Sequence, residues 1–157
     1  MAENGMKKAL GAYTNLIRAT ESVQGLLSRQ LGAVGLTMGQ FQMLEALLHL
    51  GPMSPGTLCD KLLCGSANLS MVMRNLEKRG LVVSRVNERD ERRKTVHLTP
   101  PGRAVIEKVF PMQAKLIRAQ MSALDSREQD ILRRLCRKLG LGNPARFAVE
   151  MTRAEEE

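Results

Sequence analysis

The chain reads as a mainly α protein with one small β-hairpin. Three observations predict this. Apolar residues recur at helical spacing over six separate stretches. Residues 81–98 instead hold two short β-type runs around a charged centre. The 157 residues are 43% hydrophobic, 25% charged and 3% aromatic, an ordinary globular composition. No apolar run approaches the roughly eighteen residues of a membrane span.

The first helix is expected from about Lys7 to Leu31, on Leu10, Tyr13, Leu16, Ile17, Val23, Leu26 and Leu27. Its length suits an element that packs against a second subunit. The second opens on a capping box, Thr37 with Gln40, and Leu36 and Phe41 flank it as a hydrophobic staple. Phe41, Leu44, Leu47 and Leu48 make its apolar face, which ends near Gly51-Pro52. Ser54 caps a short third helix, with Pro55 at the first position and Met53 and Leu58 as the staple; it ends near Cys64-Gly65.

The fourth helix begins at Ser66 and ends at Gly80, with Leu76 and Leu81 placed as the apolar contact of a Schellman motif. Leu69, Val72, Met73 and Leu76 share one face; Ala67, Ser70, Met71, Arg74, Asn75 and Lys78 share the other. Two short helices joined at Gly65, the second with a polar and basic outer face, describe a helix-turn-helix. Leu81–Val86 reads as a strand, Asn87–Arg93 as a charged turn and Lys94–Leu98 as a second strand. A hairpin directly after the second helix of the pair is a wing.

Thr99 caps a fifth helix with Pro100 at its first position. Val105, Ile106, Val109, Met112, Leu116 and Ile117 carry it through Pro111, where a kink or local break is expected. Asp125 and Glu128 start the last long helix, with Ile131, Leu132, Leu135 and Leu139 as its apolar face, and Gly140 to Pro144 end it. Residues 145–157 read as a tail that frays.

The net charge is +8 and the isoelectric point about 9.9. Residues 74–94 hold eight basic residues against four acidic ones, which is half of the excess. Residues 33–73 hold only Glu45, Asp60 and Lys61. A basic excess concentrated on a helix and a wing points to nucleic acid. The single Tyr, three Phe and absent Trp argue against stacking on single strands.

Other chemistry is thinly represented. Three cysteines and no secretory-type apolar stretch suit a cytoplasmic protein without a disulfide framework. Cys59, Cys64 and Cys136 read as small buried side chains. Cys64 is the candidate redox residue, because a helix start at Ser66 follows it and would lower its pKa. His49, expected at a helix end, and His97, expected on the wing surface, have no metal-ligand spacing. Neither a metal nor another cofactor is expected. No catalytic triad, paired carboxylates or phosphate loop is present, so an enzyme is not expected.

Together these pieces resemble the MarR family of bacterial winged-helix transcription factors. The matching residues are Leu36-Thr37 with Gln40, then Leu76-Glu77-Lys78-Arg79-Gly80-Leu81-Val82, then Asp90-x-Arg92, then Leu98-Thr99-x-x-Gly102. The resemblance spans roughly residues 7–140. It implies a homodimer whose N- and C-terminal helices form a dimerisation lobe. Residues 1–35 and 100–142 then supply the lobe and residues 36–99 the DNA-binding domain, with the helix-turn-helix at about 54–79 and the wing at about 82–98. Residues 143–157 are the tail. It implies a pseudo-palindromic operator and repression relieved by a ligand or an oxidant as the commonest mode, activation being the other. Met71 and Arg74 depart from the family's usual residues, so an operator sequence does not carry over. Phe110-Pro111 resembles a branch associated with quinone and other electrophile stress.

Ser54, Thr57 and Ser66 are expected to offer hydroxyls and helix-start N–H groups to phosphates. Asn68, Ser70, Met71, Arg74, Asn75 and Lys78 are the candidate groove-facing residues of the reading helix. Arg is suited to guanine, Asn to adenine and Met to a thymine methyl. The wing contributes Arg89, Arg92 and Arg93 to the minor groove, with Asp90 orienting Arg92 by resemblance. The family binds small aromatic or phenolic effectors between lobe and winged helix, and Tyr13, Met43 and Leu47 are the candidate lining here. Two other readings remain open: a non-specific architectural DNA binder, and a thiol sensor acting through Cys64.

Overall fold

The computed structural model describes residues 2–62, 66–87 and 90–140, with side chains throughout except at 2, 3, 87 and 90–93. The element order is α1 (Ala2–Ala33), α2 (Met38–Leu50), α3 (Pro55–Leu62), α4 (Ser66–Lys78), β1 (Val82–Asn87), β2 (Asp90–Leu98), α5 (Pro100–Met121) and α6 (Ser126–Gly140). Among the described residues no helix is long and apolar enough to cross a membrane. The chain divides into two compact units, Met1–Ile117 and Arg118–Glu157.

The first unit is built on the predicted caps. Thr37 Oγ1 accepts from the Gln40 N–H at 3.2 Å, while Gln40 Oε1 accepts from the Thr37 N–H at 3.0 Å. Two donors that the first turn of α2 leaves open are thereby satisfied. The staple residues Leu36 and Phe41 are both buried. At the end of α4, the Leu81 N–H reaches Leu76 O and the Gly80 N–H reaches Glu77 O, both at 2.9 Å. Gly80 has φ 65°, so the Schellman motif read from the sequence is present, with Leu76 and Leu81 buried as its apolar pair.

These caps point one face of each helix into a common core. Leu31, Leu36, Phe41, Met43, Leu44, Leu47, Leu58, Leu69, Leu76, Leu81, Val82, Val96, Ile106 and Val109 are all buried in one cluster. A single polar side chain ties α5 to α1 beneath it: Gln113 Nε2 donates to Gln30 Oε1 at 3.0 Å and to Leu27 O at 3.4 Å.

The hairpin pairs antiparallel from Val82↔Leu98 to Val86↔Lys94, then slips, so that Asn87 faces Asp90. The charged turn expected over 87–93 is therefore corrected: residues 90–93 belong to β2. Turn-forming side chains did not prevail because β1 offers a free edge whose backbone groups are satisfied by pairing. The register slip is where the extra residues are absorbed. A further pairing was not foreseen. Met53, just before α3, bridges Val96, whose N–H donates to Met53 O at 2.9 Å. The wing is thus pinned to the start of the helix-turn-helix.

α5 runs unbroken through Pro111, so the local break expected there does not occur. Proline removes one helical N–H bond, and the flanking turns carry the helix past it. The second unit holds the end of α5 and α6. Asp125 and Glu128 cap α6 reciprocally: the Glu128 N–H donates to Asp125 Oδ1 at 2.8 Å and the Asp125 N–H to Glu128 Oε2 at 2.9 Å. Gln129 Nε2 closes the turn by donating to Met121 O and Leu124 O. Residues 141–157, including the expected tail, lie outside the described residues.

Candidate nucleic-acid interface

α4 presents the face that its periodicity predicts. Leu69 and Leu76 are buried, and Val72 and Met73 are half-buried against the core. Ala67, Ser70, Met71, Arg74, Asn75 and Lys78 are all exposed. The apolar Met71 stands 56% exposed in the middle of this polar surface. Ser70 Oγ donates to Ser66 O at 2.8 Å, and Arg74 Nε lies 3.4 Å from Ser70 O. The exposed face thus makes only local bonds. Among the described residues neither Arg74 nor Lys78 has an ion-pair partner; the ion pairs are Arg103–Glu107 and Arg133–Asp130.

α3 comes before it with its own cap. Ser54 Oγ accepts from the Thr57 N–H at 3.1 Å and shares a hydrogen bond with Thr57 Oγ1 at 2.9 Å. The Ser54 hydroxyl is therefore partly spent on the helix start, while Thr57 is exposed. Ser66 and Asn68 are exposed at the start of α4, and Asn68 also lines a cavity of about 20 Å³ with Gly39, Gln42, Met43, Leu62, Leu69 and Val72. On the wing, Arg85 and Lys94 are exposed. The backbone of Asp90, Arg92 and Arg93 lies in β2, but their side chains are outside the described residues. Arg89 and Cys64 are outside them altogether.

The end of α4 is held from three sides, and sequence reasoning missed this. Arg79 Nη1 donates to Gly35 O at 2.8 Å and lies 3.3 Å from Gln40 Oε1. Ser84 Oγ in β1 donates to Glu77 Oε1. Thr99 Oγ1 donates to Gly80 O at 2.6 Å while accepting from the Gly102 N–H at 3.1 Å. The partners of Arg79 lie 44 and 39 residues away in the chain, so no local pattern could have named them. Arg79 had counted only as one more basic residue.

The effector candidates are not gathered together. Met43 and Leu47 are buried in the core cluster, and Tyr13 is 63% exposed on α1. Met43 lines the 20 Å³ cavity, which is too small for an aromatic ring and is lined by neither of the other two. Cys136 is exposed on α6, which corrects its reading as a buried side chain; α6 buries no residue at all within this chain. Cys59 is half-buried. His49 sits near the end of α2 with its ring edge-on to Phe110, centroids 4.7 Å apart. His97 is half-buried on β2, with Nε2 2.8 Å from Thr95 Oγ1.

Comparison with known proteins agrees with this geometry. Residues 34–93 match the model of a MarR family domain. Over 139 residues the chain is 31% identical to YkoM of Bacillus subtilis, an uncharacterized HTH-type transcriptional regulator, covering 88% of this chain and 90% of that one. The fold superimposes on Bordetella bronchiseptica BpsR, whose DNA binding is regulated by 6-hydroxynicotinic acid, with TM-score 0.75 and 26% identity; 81% of this chain and 91% of that one are covered. It also superimposes on a mutant MarR of Escherichia coli complexed with operator DNA, with TM-score 0.76 over 84% of this chain and 95% of that one. At 22% identity, that last likeness speaks for the fold alone.

Proposed function

Because the chain belongs to the MarR family of DNA-binding transcriptional regulators, we propose that it is a sequence-specific repressor that binds a pseudo-palindromic operator as a homodimer. The observation that carries this reading is the outer face of α4: six exposed residues, two of them cationic without ion-pair partners among the described residues, on a helix whose opposite face is locked in the core. In this reading Arg74 and Asn75 contact base edges, Ser70 and Met71 fill the groove between them, and Lys78, Thr57 and Ser66 meet phosphates. Arg92 enters the minor groove from the wing, flanked by Arg89 and Arg93.

The homodimer is supported by apolar surface that one chain leaves open. Met6, Leu10 and Tyr13 on α1 are 66%, 59% and 63% exposed. Leu135 and Leu139 on α6 are 59% and 67% exposed. Large apolar side chains gathered on two helices are the signature of a subunit interface. Residues 1–35 and 100–142 then form the dimerisation lobe and residues 36–99 the reading domain. Two reading domains related by a twofold axis meet half-sites about one helical turn apart, roughly 34–36 Å.

Release by a small aromatic acid or phenol is the effector reading, supported by BpsR's response to 6-hydroxynicotinic acid. The exposed Tyr13 is the lining candidate that such a ligand reaches directly. A cytoplasmic site of action follows from the DNA target.

Substitution tests the contacts. Arg74→Ala and Asn75→Ala are each expected to cost about 1–3 kcal/mol of discrimination at one operator base pair. Arg92→Ala is expected to weaken operator binding at unchanged thermal melting. Unaltered operator titrations in all three would remove α4 and the wing from the interface.

A further inference from the structure

We propose that Arg79 is a positioning residue for DNA reading: it ties the C-terminal end of α4 to the α1–α2 turn and thereby sets the angle at which α4 meets the groove. It is not a phosphate contact. The inference rests on the DNA-reading function proposed for α4 and goes beyond it.

The acceptor of Arg79 is a backbone carbonyl that no helix uses. α1 ends with Leu36 N–H bonded to Leu31 O at 3.0 Å and Gly35 N–H bonded to Gly32 O at 3.1 Å. Gly35 takes φ 71°, and this left-handed residue turns its carbonyl out of the helix. Arg79 supplies the missing donor at 2.8 Å. The same nitrogen approaches Gln40 Oε1, the atom that also accepts from the Thr37 N–H in the cap of α2. One guanidinium thus joins the end of α1, the cap of α2 and the end of α4. A planar fork with fixed donor directions suits this bridging better than a point charge does.

The consequence for reading is one of leverage. α4 has 13 residues, so it is about 20 Å long, and a tilt of about 5° about one end moves the other by about 2 Å. A base-edge hydrogen bond tolerates only tenths of an ångström. Residues 66–75 make only local bonds on their exposed face. Their placement therefore depends on the core and on the three ties at the far end, from Arg79, Glu77 and Gly80. Of these, the Arg79 tie alone reaches the junction with the long helix α1. It is the route by which a change in α1 would be felt by the reading face.

The two roles for Arg79 predict different binding data. A phosphate contact weakens binding to all duplexes equally and contributes about 0.9 to the slope of log K against log salt. A positioning residue lowers affinity for the operator while leaving random DNA alone. Arg79→Met is expected to lower the operator-to-random affinity ratio at least about tenfold, with random-duplex affinity and the salt slope unchanged. An equal loss on both duplexes with a slope smaller by about 0.9, or an unchanged ratio, would overturn the inference. Should Arg79→Met fail to fold, Arg79→Lys keeps the charge. There the ratio is expected to fall at least about threefold, because one ammonium cannot reproduce the fork, and a wild-type ratio overturns the inference. A wild-type protein without any operator preference fails the regulator reading and takes this inference with it. A wild type whose preference survives both substitutions fails the inference alone.

Discussion

Gly102→Ala is expected to lower the melting temperature by about 10 °C and to weaken operator binding at warm temperature with it. A β-carbon at this position would lie 1.8 Å from Leu81 O and 2.8 Å from Leu81 C. The obstacle is backbone, and it cannot rotate away. Leu81 O already accepts from the Thr99 N–H at 3.1 Å, and the Leu81 N–H is bonded to Leu76 O. Moving the carbonyl therefore means moving the end of α4, the start of the wing or the first turn of α5. Overpacking of this kind costs about 3 kcal/mol at the upper end of its usual range, and each kcal/mol is worth roughly 2–4 °C in a chain of this size. Gly56→Ala is the control. Its β-carbon would approach nothing closer than Ser54 Oγ at 3.8 Å, so the melting temperature should hold or rise slightly. Equal melting of Gly102→Ala and the parent protein would show that α5 is not seated on Leu81.

Leu135→Asp combined with Leu139→Asp is expected to yield a species of one chain, 17.4 kDa, in sedimentation. Its operator affinity should fall by about 10²–10⁴-fold, the gain that linking two half-sites supplies. Both leucines are exposed in the single chain, and each is worth about 1.5–3 kcal/mol when fully buried by a partner. A carboxylate in each place would be buried without a partner charge. Because α6 buries no side chain within its own chain, the fold of residues 2–117 has no need of these leucines. Thermal unfolding of that unit should remain cooperative. A parent and a variant of equal mass and equal affinity would place the dimer interface elsewhere.

What could be read in advance was mostly local. The Thr37–Gln40 box, the Asp125–Glu128 box and the Gly80 terminus each involve residues within five positions of one another, and residue type alone carries the signal. The buried and open faces of α4 followed from helical period, because the core decides which side turns inward. The misses are all non-local. β2 starts earlier than its side chains suggest, because the ladder with β1 outweighs turn propensity. The Met53–Val96 bridge and the Arg79–Gly35 bond join segments more than forty residues apart. The Leu98-Thr99-x-x-Gly102 motif was visible as a pattern, but its reason was not. Thr99 bonds Gly80 and Gly102 clears Leu81, so the motif is the joint between α4, the wing and α5. Of the DNA-reading candidates, those on α4 were legible as an exposed face, whereas the effector candidates were chosen by family resemblance and do not share a cavity.

The most direct test of a sequence-specific regulator is a competition titration with the purified protein. Genomic fragments selected by binding supply the candidate operator, and the same duplex with its sequence shuffled supplies the competitor at physiological salt. The account predicts a preference of at least about a thousandfold for the selected sequence, with two half-sites related by a twofold axis. Equal affinity for the selected and shuffled duplexes would contradict it and leave a non-specific architectural binder in its place.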